Sequence, residues 1–208
     1  MSLLILGLVL FLGVHSTRIL APAWRTRTIA RIGEGPWKGL YSLVSLVGFA
    51  LLVWGYAQAR QQMPLWDPPG WTRHLTALLM LPVFPMIVAA YVPRNGIKAR
   101  LKHPQVLSVK LWAVAHLVAN GNVADVVLFG AFLGWAVADF SAARKRDREA
   151  GRLVDPRAVV EAAGPSPLPS PQRGEGVGTI ACVVVGLVIY VVFAFWLHGL
   201  LIGVRPFG

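Results

Sequence analysis

An otherwise apolar run between residues 103 and 139 carries His103, Lys110, His116, Asn120, Asn122, Asp125 and Asp139. Polar and ionisable side chains at membrane depth are expensive, and as a class they mark cofactor sites, proton relays or substrate paths. Trp112, His116 and Asn120 recur at four-residue spacing and so share one helical face, with Asn122 and Asp125 just beyond an Asn-Gly turn. As chemistry, that group, joined by His198 from the last apolar block, makes a proton relay, a metal site or a substrate pocket. As structure, it caps the two helix ends that meet at the turn. His74 reads as an interfacial residue.

The elements that must hold these groups are helices in lipid. Of 208 residues, 56% are apolar and only 14% charged, and mean hydropathy is +0.61. That is too apolar for an ordinary soluble domain and too long for one span. The net charge of +11 sits between apolar blocks, where it sets topology and meets anionic lipid instead of nucleic acid. Cys182 is the one cysteine, which excludes an internal disulfide and CxxC chemistry. No phosphate loop, HExxH, GxSxG or EF-hand pattern is present. The expectation is an all-α, polytopic membrane helical bundle of about six transmembrane helices in a single domain, 1–208.

In chain order, the first helix covers residues 2–20 and lacks the basic start of a cleaved leader, so it is expected to be retained. A basic linker leads to a second helix at 39–59. Residues 60–73, with three prolines and two tryptophans, read as an interfacial loop. The third helix, 75–92, contains Pro82 and Pro85 and should kink. Pro104 suits the first turn of a fourth helix that ends near Ala119, and Asn120-Gly121-Asn122 supplies the turn into a fifth. Gly130 and Gly134 offer that fifth helix a small-residue face for close packing, within the chain or between chains. Residues 163–178, rich in Pro, Gly and Ser, read as a disordered cytoplasmic linker, and a sixth helix covers 180–203.

Charge orients the bundle. Three of the connections hold seventeen Lys and Arg, whereas the opposite side holds only Arg60, Arg73 and Arg205. The positive-inside rule then puts both termini outside the cytoplasm, which in a bacterium means the periplasm. This orientation places His15 and His103 at one depth near the cytoplasmic side. Two imidazoles from different helices are the arrangement that holds a haem iron from both faces. Arg18 and Lys110 would then neutralise the propionates. In the alternative, His15 bonds a backbone carbonyl, His103 faces solvent, and Arg18 and Lys110 snorkel to lipid phosphates. Asp139 is expected to pair with Lys110.

The segments FLGVHS, KGLYSLVSLVGF, LWDPP, KLWAVAHLVANGN and FAFWLHGLLIGVRPFG resemble the NnrU family of bacterial membrane proteins, named for an association with denitrification. The resemblance covers nearly the whole chain. It extends distantly to the plant 15-cis-zeta-carotene isomerase, an integral membrane haem b protein. It implies haem b on His15 and His103, and redox-gated isomerisation of, or electron exchange with, a lipid-soluble molecule. A cysteine implicated in ligand exchange in the isomerase falls on Arg100 here, which argues against a thiolate switch. Two other functions stay open: a non-enzymatic role supporting nitrite or nitric oxide metabolism by assembling another complex, and proton-coupled transport through the His116, Asn120, Asn122, Asp125 and His198 group. The expected partners are membrane lipids and a lipid-soluble substrate or redox partner.

Overall fold

The computed structural model describes residues 1–60, 63–151 and 175–207. Helices α1 (Ser2–His15), α2 (Thr17–Leu20), α3 (Pro22–Ile32) and α4 (Glu34–Ala59) come first. They are followed by α5 (Thr72–Met80), α6 (Val83–Tyr91), α7 (Gly96–Leu101), α8 (Pro104–Ala119) and α9 (Val123–Glu149). The last are α10 (Glu175–Val192), a π-helical turn Phe193–Leu197, and α11 (His198–Ile202). Among the described residues there is no strand, only an isolated antiparallel bridge between Pro64 and Asn122. The chain is a helical membrane bundle.

Among the described residues, four helical stretches are long and apolar enough to cross a bilayer: Glu34–Ala59, Thr72–Tyr91, Val123–Glu149 and Gly176–Ile202. Ser2–His15 and Pro104–Ala119 are shorter apolar helices; at about 1.5 Å per residue they span less than the roughly 30 Å of hydrocarbon. Large apolar side chains such as Leu43, Leu46 and Phe49 on α4, and Val184 and Val188 on α10, stand exposed. In lipid that is the favourable outward face, since helices satisfy their own backbone polar groups.

Across the bundle the order is α4, α1, α9, α8, the α5–α6 pair, then α10. One apolar core joins Leu4 and Leu8 of α1 and Leu52 of α4 to Leu128 and Phe129 of α9. A second joins Met80 and Val83 to Ala115 and Tyr190. Trp112 of α8 packs against both.

Several expected boundaries move. The basic linker after the first helix is itself helical, as α2, α3 and the opening turns of α4. The third helix breaks at Leu81-Pro82, as its prolines require, and Pro85 closes on Gly186: a Cβ there would stand 2.5 Å from the Pro85 Cα. The fifth helix continues through the charged run to Glu149. Of the expected linker 163–178, residues 163–174 lie outside the described residues, and 175–178 already belong to α10.

Of the two expected uses of the Gly130–Gly134 face, packing within the chain is corrected. A Cβ at either position would meet nothing within 4 Å. Close approach is made instead by Gly7, Gly48 and Gly55 between α1 and α4, where a Cβ on Gly48 would lie 2.8 Å from the Phe11 amide nitrogen. Helix rotation decides which small residues face a neighbour, and four-residue spacing alone does not reveal it.

Candidate functional site

Alternate helices run in opposite directions, so polar residues collect at two ends. The end expected to be cytoplasmic holds His15, Tyr41, Trp135, His103 and Asp147, and the other holds Tyr56, His116, Asn120, Asn122 and Asp125.

His15 closes α1. Its Nδ1–H donates to the Phe11 carbonyl at 2.6 Å, and Ser16 and Thr17 bond the carbonyls of Leu12 and Val14. Three successive side chains thereby bond back to carbonyls of the last turns of α1, adding to the backbone bonds that the Phe11 and Leu12 carbonyls already accept. The ring packs on Phe11 at 4.3 Å, meets Tyr41 at 5.2 Å, and stands perpendicular to Trp135 of α9 at 6.1 Å. Nε2 of His15 has no hydrogen bond among the described residues. Beside it, the Trp135 indole N–H is buried and without a partner among those same residues. Arg18 lies one turn further along, on α2 and exposed, beyond the break at Ser16.

His103 precedes Pro104 and faces the far end of α9. Its Nε2–H donates to Asp147 Oδ2 at 2.7 Å, and its ring meets Phe140 edge-on at 6.0 Å. Lys110 lies on the opposite part of this patch, its Nζ 3.9 Å from the Phe140 ring centroid, an approach that holds a cation by the ring's quadrupole. The expected Lys110–Asp139 pair is therefore corrected: Asp139 is 3.9 Å from Arg146 instead. Both lie on α9 seven residues apart, and such a partner comes into view only once the helix is known to continue past residue 140.

Both histidines thus rest on α9, His15 against Trp135 and His103 against Phe140. Five residues on a helix are about 7.5 Å of axis and 140° of rotation. The two imidazoles sit at one end of the bundle, each against its own flank of the same helix.

At the opposite end Asp125, 1% exposed, accepts from the Asn122 backbone at 2.8 Å and the Asn122 side chain at 3.0 Å through Oδ2, and from the Tyr56 hydroxyl at 2.6 Å through Oδ1. With Asn122 it forms the capping box of α9, which also puts a carboxylate on the positive end of the helix dipole. His116 donates Nδ1–H to the Trp112 carbonyl at 2.8 Å and stacks on Phe129 at 4.8 Å, while Asn120 donates to the His116 carbonyl. These bonds are what capping of the two helix ends requires. His198 has a different partner, the Val204 carbonyl at 2.7 Å, and belongs to the last turn. His74 lines a surface cleft with Arg73, Pro206 and Phe207. Gly121 accepts from the amides of Leu65 and Trp66, so the loop after α4 is strapped over the turn.

Sequence reasoning missed Tyr56, Tyr41, Trp135 and Asp147. Tyr56 and Trp135 look like ordinary lipid-facing aromatics in a hydropathy profile. Among the described residues no group of three His, Cys, Asp or Glu is placed to hold a metal ion.

A family model described as NnrU protein matches residues 3–206. No curated protein and no solved structure matches the chain.

Proposed function

Since the chain belongs to the NnrU family, we propose that it is a bacterial inner-membrane protein whose working site is the end of the bundle holding His15 and His103, where it binds haem b and acts on, or exchanges electrons with, a lipid-soluble molecule. The observation that carries this reading is the state of His15: Nδ1 fixed by a backbone carbonyl and Nε2 without a partner, beside a buried indole N–H that also lacks one.

Each histidine taken singly carries the orienting bond of a metal ligand, although the two stand on different flanks of α9, which runs between their helices. An imidazole ligand is normally oriented by an acceptor on its second nitrogen, which sets the tautomer and leaves the other lone pair for the metal. His15 meets this through Phe11, with Nε2 for the iron. His103 meets it through the Asp147 carboxylate, with Nδ1 for the iron. Arg18, three residues after His15, and Lys110, which shares the Phe140 ring with His103, would be the propionate partners. When bound, haem supplies a Lewis-acidic, one-electron centre whose potential follows its axial ligands and burial.

The chain's own residues do the rest. Phe11, Tyr41 and Trp135 give His15 an apolar wall that excludes water, and the Trp135 N–H offers a donor to an oxygen placed beside it. Asp147 orients the His103 ring. Exposed apolar faces on α4 and α10 let a lipid-soluble molecule reach the bundle from within the bilayer.

Oxidised and dithionite-reduced spectra of the detergent-purified protein, from cells supplied with a haem precursor, test the reading. A stoichiometric b-type spectrum that His15→Ala abolishes supports it, and a featureless spectrum from well-folded protein sinks it.

A further inference from the structure

The end of the bundle opposite His15 carries few basic residues, and they are gathered. Arg73 lines a cleft of about 280 Å³ with Gly70, His74, Pro206 and Phe207. Arg205 immediately precedes two of those wall residues, and its Cγ would lie 3.2 Å from a Cβ on Gly199. Arg60, at the end of α4, reaches the same turn: its guanidinium would stand 3.3 Å from a Cβ on Gly203. Gly203 has a φ of 74°, the left-handed conformation that ends a helix and that glycine adopts without strain. His198 holds the turn closed through Val204.

None of these three arginines has an ion pair or a side-chain hydrogen bond among the described residues. Among the described residues no carboxylate lines the cleft, and Asp125 at this end is held by Tyr56 and Asn122. The decisive atom is Arg60 Nε, which is buried and has no partner among the described residues. A buried guanidinium N–H without an acceptor is costly. Arg60 and Arg205 meet at the turn around Gly203 and exposed Arg73 lines the cleft beside it, so three like charges are gathered at this end. An oxyanion offsets the repulsion among these groups, because the outer nitrogens of a guanidinium fork match the oxygens of phosphate and bind them with charge-assisted hydrogen bonds.

We propose that Arg60, Arg73 and Arg205 form an anion site for a phosphate group on the non-cytoplasmic side of the bundle. Two sources carry that chemistry, a phospholipid head group of the facing leaflet and free inorganic phosphate. The site is independent of the histidines at the other end, and haem content does not bear on it.

The full chain, purified in detergent, is titrated calorimetrically with inorganic phosphate and separately exposed to phosphatidylglycerol and weighed by native mass spectrometry. Saturable binding of phosphate assigns a free oxyanion; retention of phosphatidylglycerol without phosphate binding assigns a head group. Arg60→Gln, and Arg60→Lys, which keeps the charge and loses the Nε donor, should each weaken the observed ligand about tenfold or more. Lys98→Gln, at the other end, should leave it unchanged. If Arg60→Gln fails to give a helical monodisperse protein, the Arg73→Gln/Arg205→Gln double variant replaces it with the same expectation. Absence of saturable binding of both probes, or wild-type binding by the arginine variants, overturns the proposal.

Discussion

The Tyr56 hydroxyl and the Asp125 carboxylate, 69 residues apart, meet at 2.6 Å. The bond ties the end of α4 to the start of α9, and it supplies a donor to Oδ1 of a carboxylate that is 1% exposed. It makes Asp125 a structural anchor, since a group with its oxygens already engaged by Tyr56 and Asn122 is poorly placed to pass protons.

Tyr56→Phe should therefore lower stability by about 1.5–3 kcal/mol, the range for a hydrogen bond to a charged group. Asp125→Ala should cost at least as much, because it also removes the capping box. Equilibrium unfolding of the purified protein in mixed micelles checks this; no change in midpoint for either variant would refute the anchor role.

The glycine positions make a paired prediction. Gly48→Val pushes side-chain atoms into the Phe11 backbone and should destabilise by about 1–3 kcal/mol, the usual cost of overpacking. Gly130→Ala and Gly134→Ala face open space and should stay within about 0.5 kcal/mol of the native protein. The reverse ranking in the same unfolding assay would mean that α9, not α1 and α4, makes the close helix contact.

Gly121 sits under the Trp66 carbonyl, so Gly121→Ala must displace the strap formed by residues 63–66. Faster amide exchange at Leu65 and Trp66, with α8 and α9 still protected, is the expected result. Unchanged protection at those two amides would show that the strap does not depend on the turn.

Asp147→Asn tests the second histidine. A neutral amide orients the ring less strongly than a carboxylate. If His103 is an axial ligand, the variant should keep haem yet shift its reduction potential, with His103→Ala having the larger effect. A potential and spectrum identical to those of the unaltered protein would remove His103 from the ligand set and leave His15 alone.

The helical class, the lipid environment, the start of α8 at Pro104 and the turn at residues 120–122 were legible in the sequence. So was the role of Asn122 and Asp125 in capping, because side chain and amide lie within one turn of each other. Each of these depends on local information: hydropathy over some twenty residues, proline at a first helical position, short polar side chains beside a break.

Partnerships between helices were not legible. Lys110 chose the Phe140 ring over Asp139, His103 found Asp147, and Tyr56 found Asp125. The small residues that mattered were Gly7, Gly48 and Gly55, not Gly130 and Gly134. Depth along the membrane follows from counting residues, but which flank of a helix meets which neighbour depends on rotation and crossing angle. Those are set only when all the helices pack together, and so the sequence alone determined that the polar residues would gather at two ends, while the tertiary structure decided their partners.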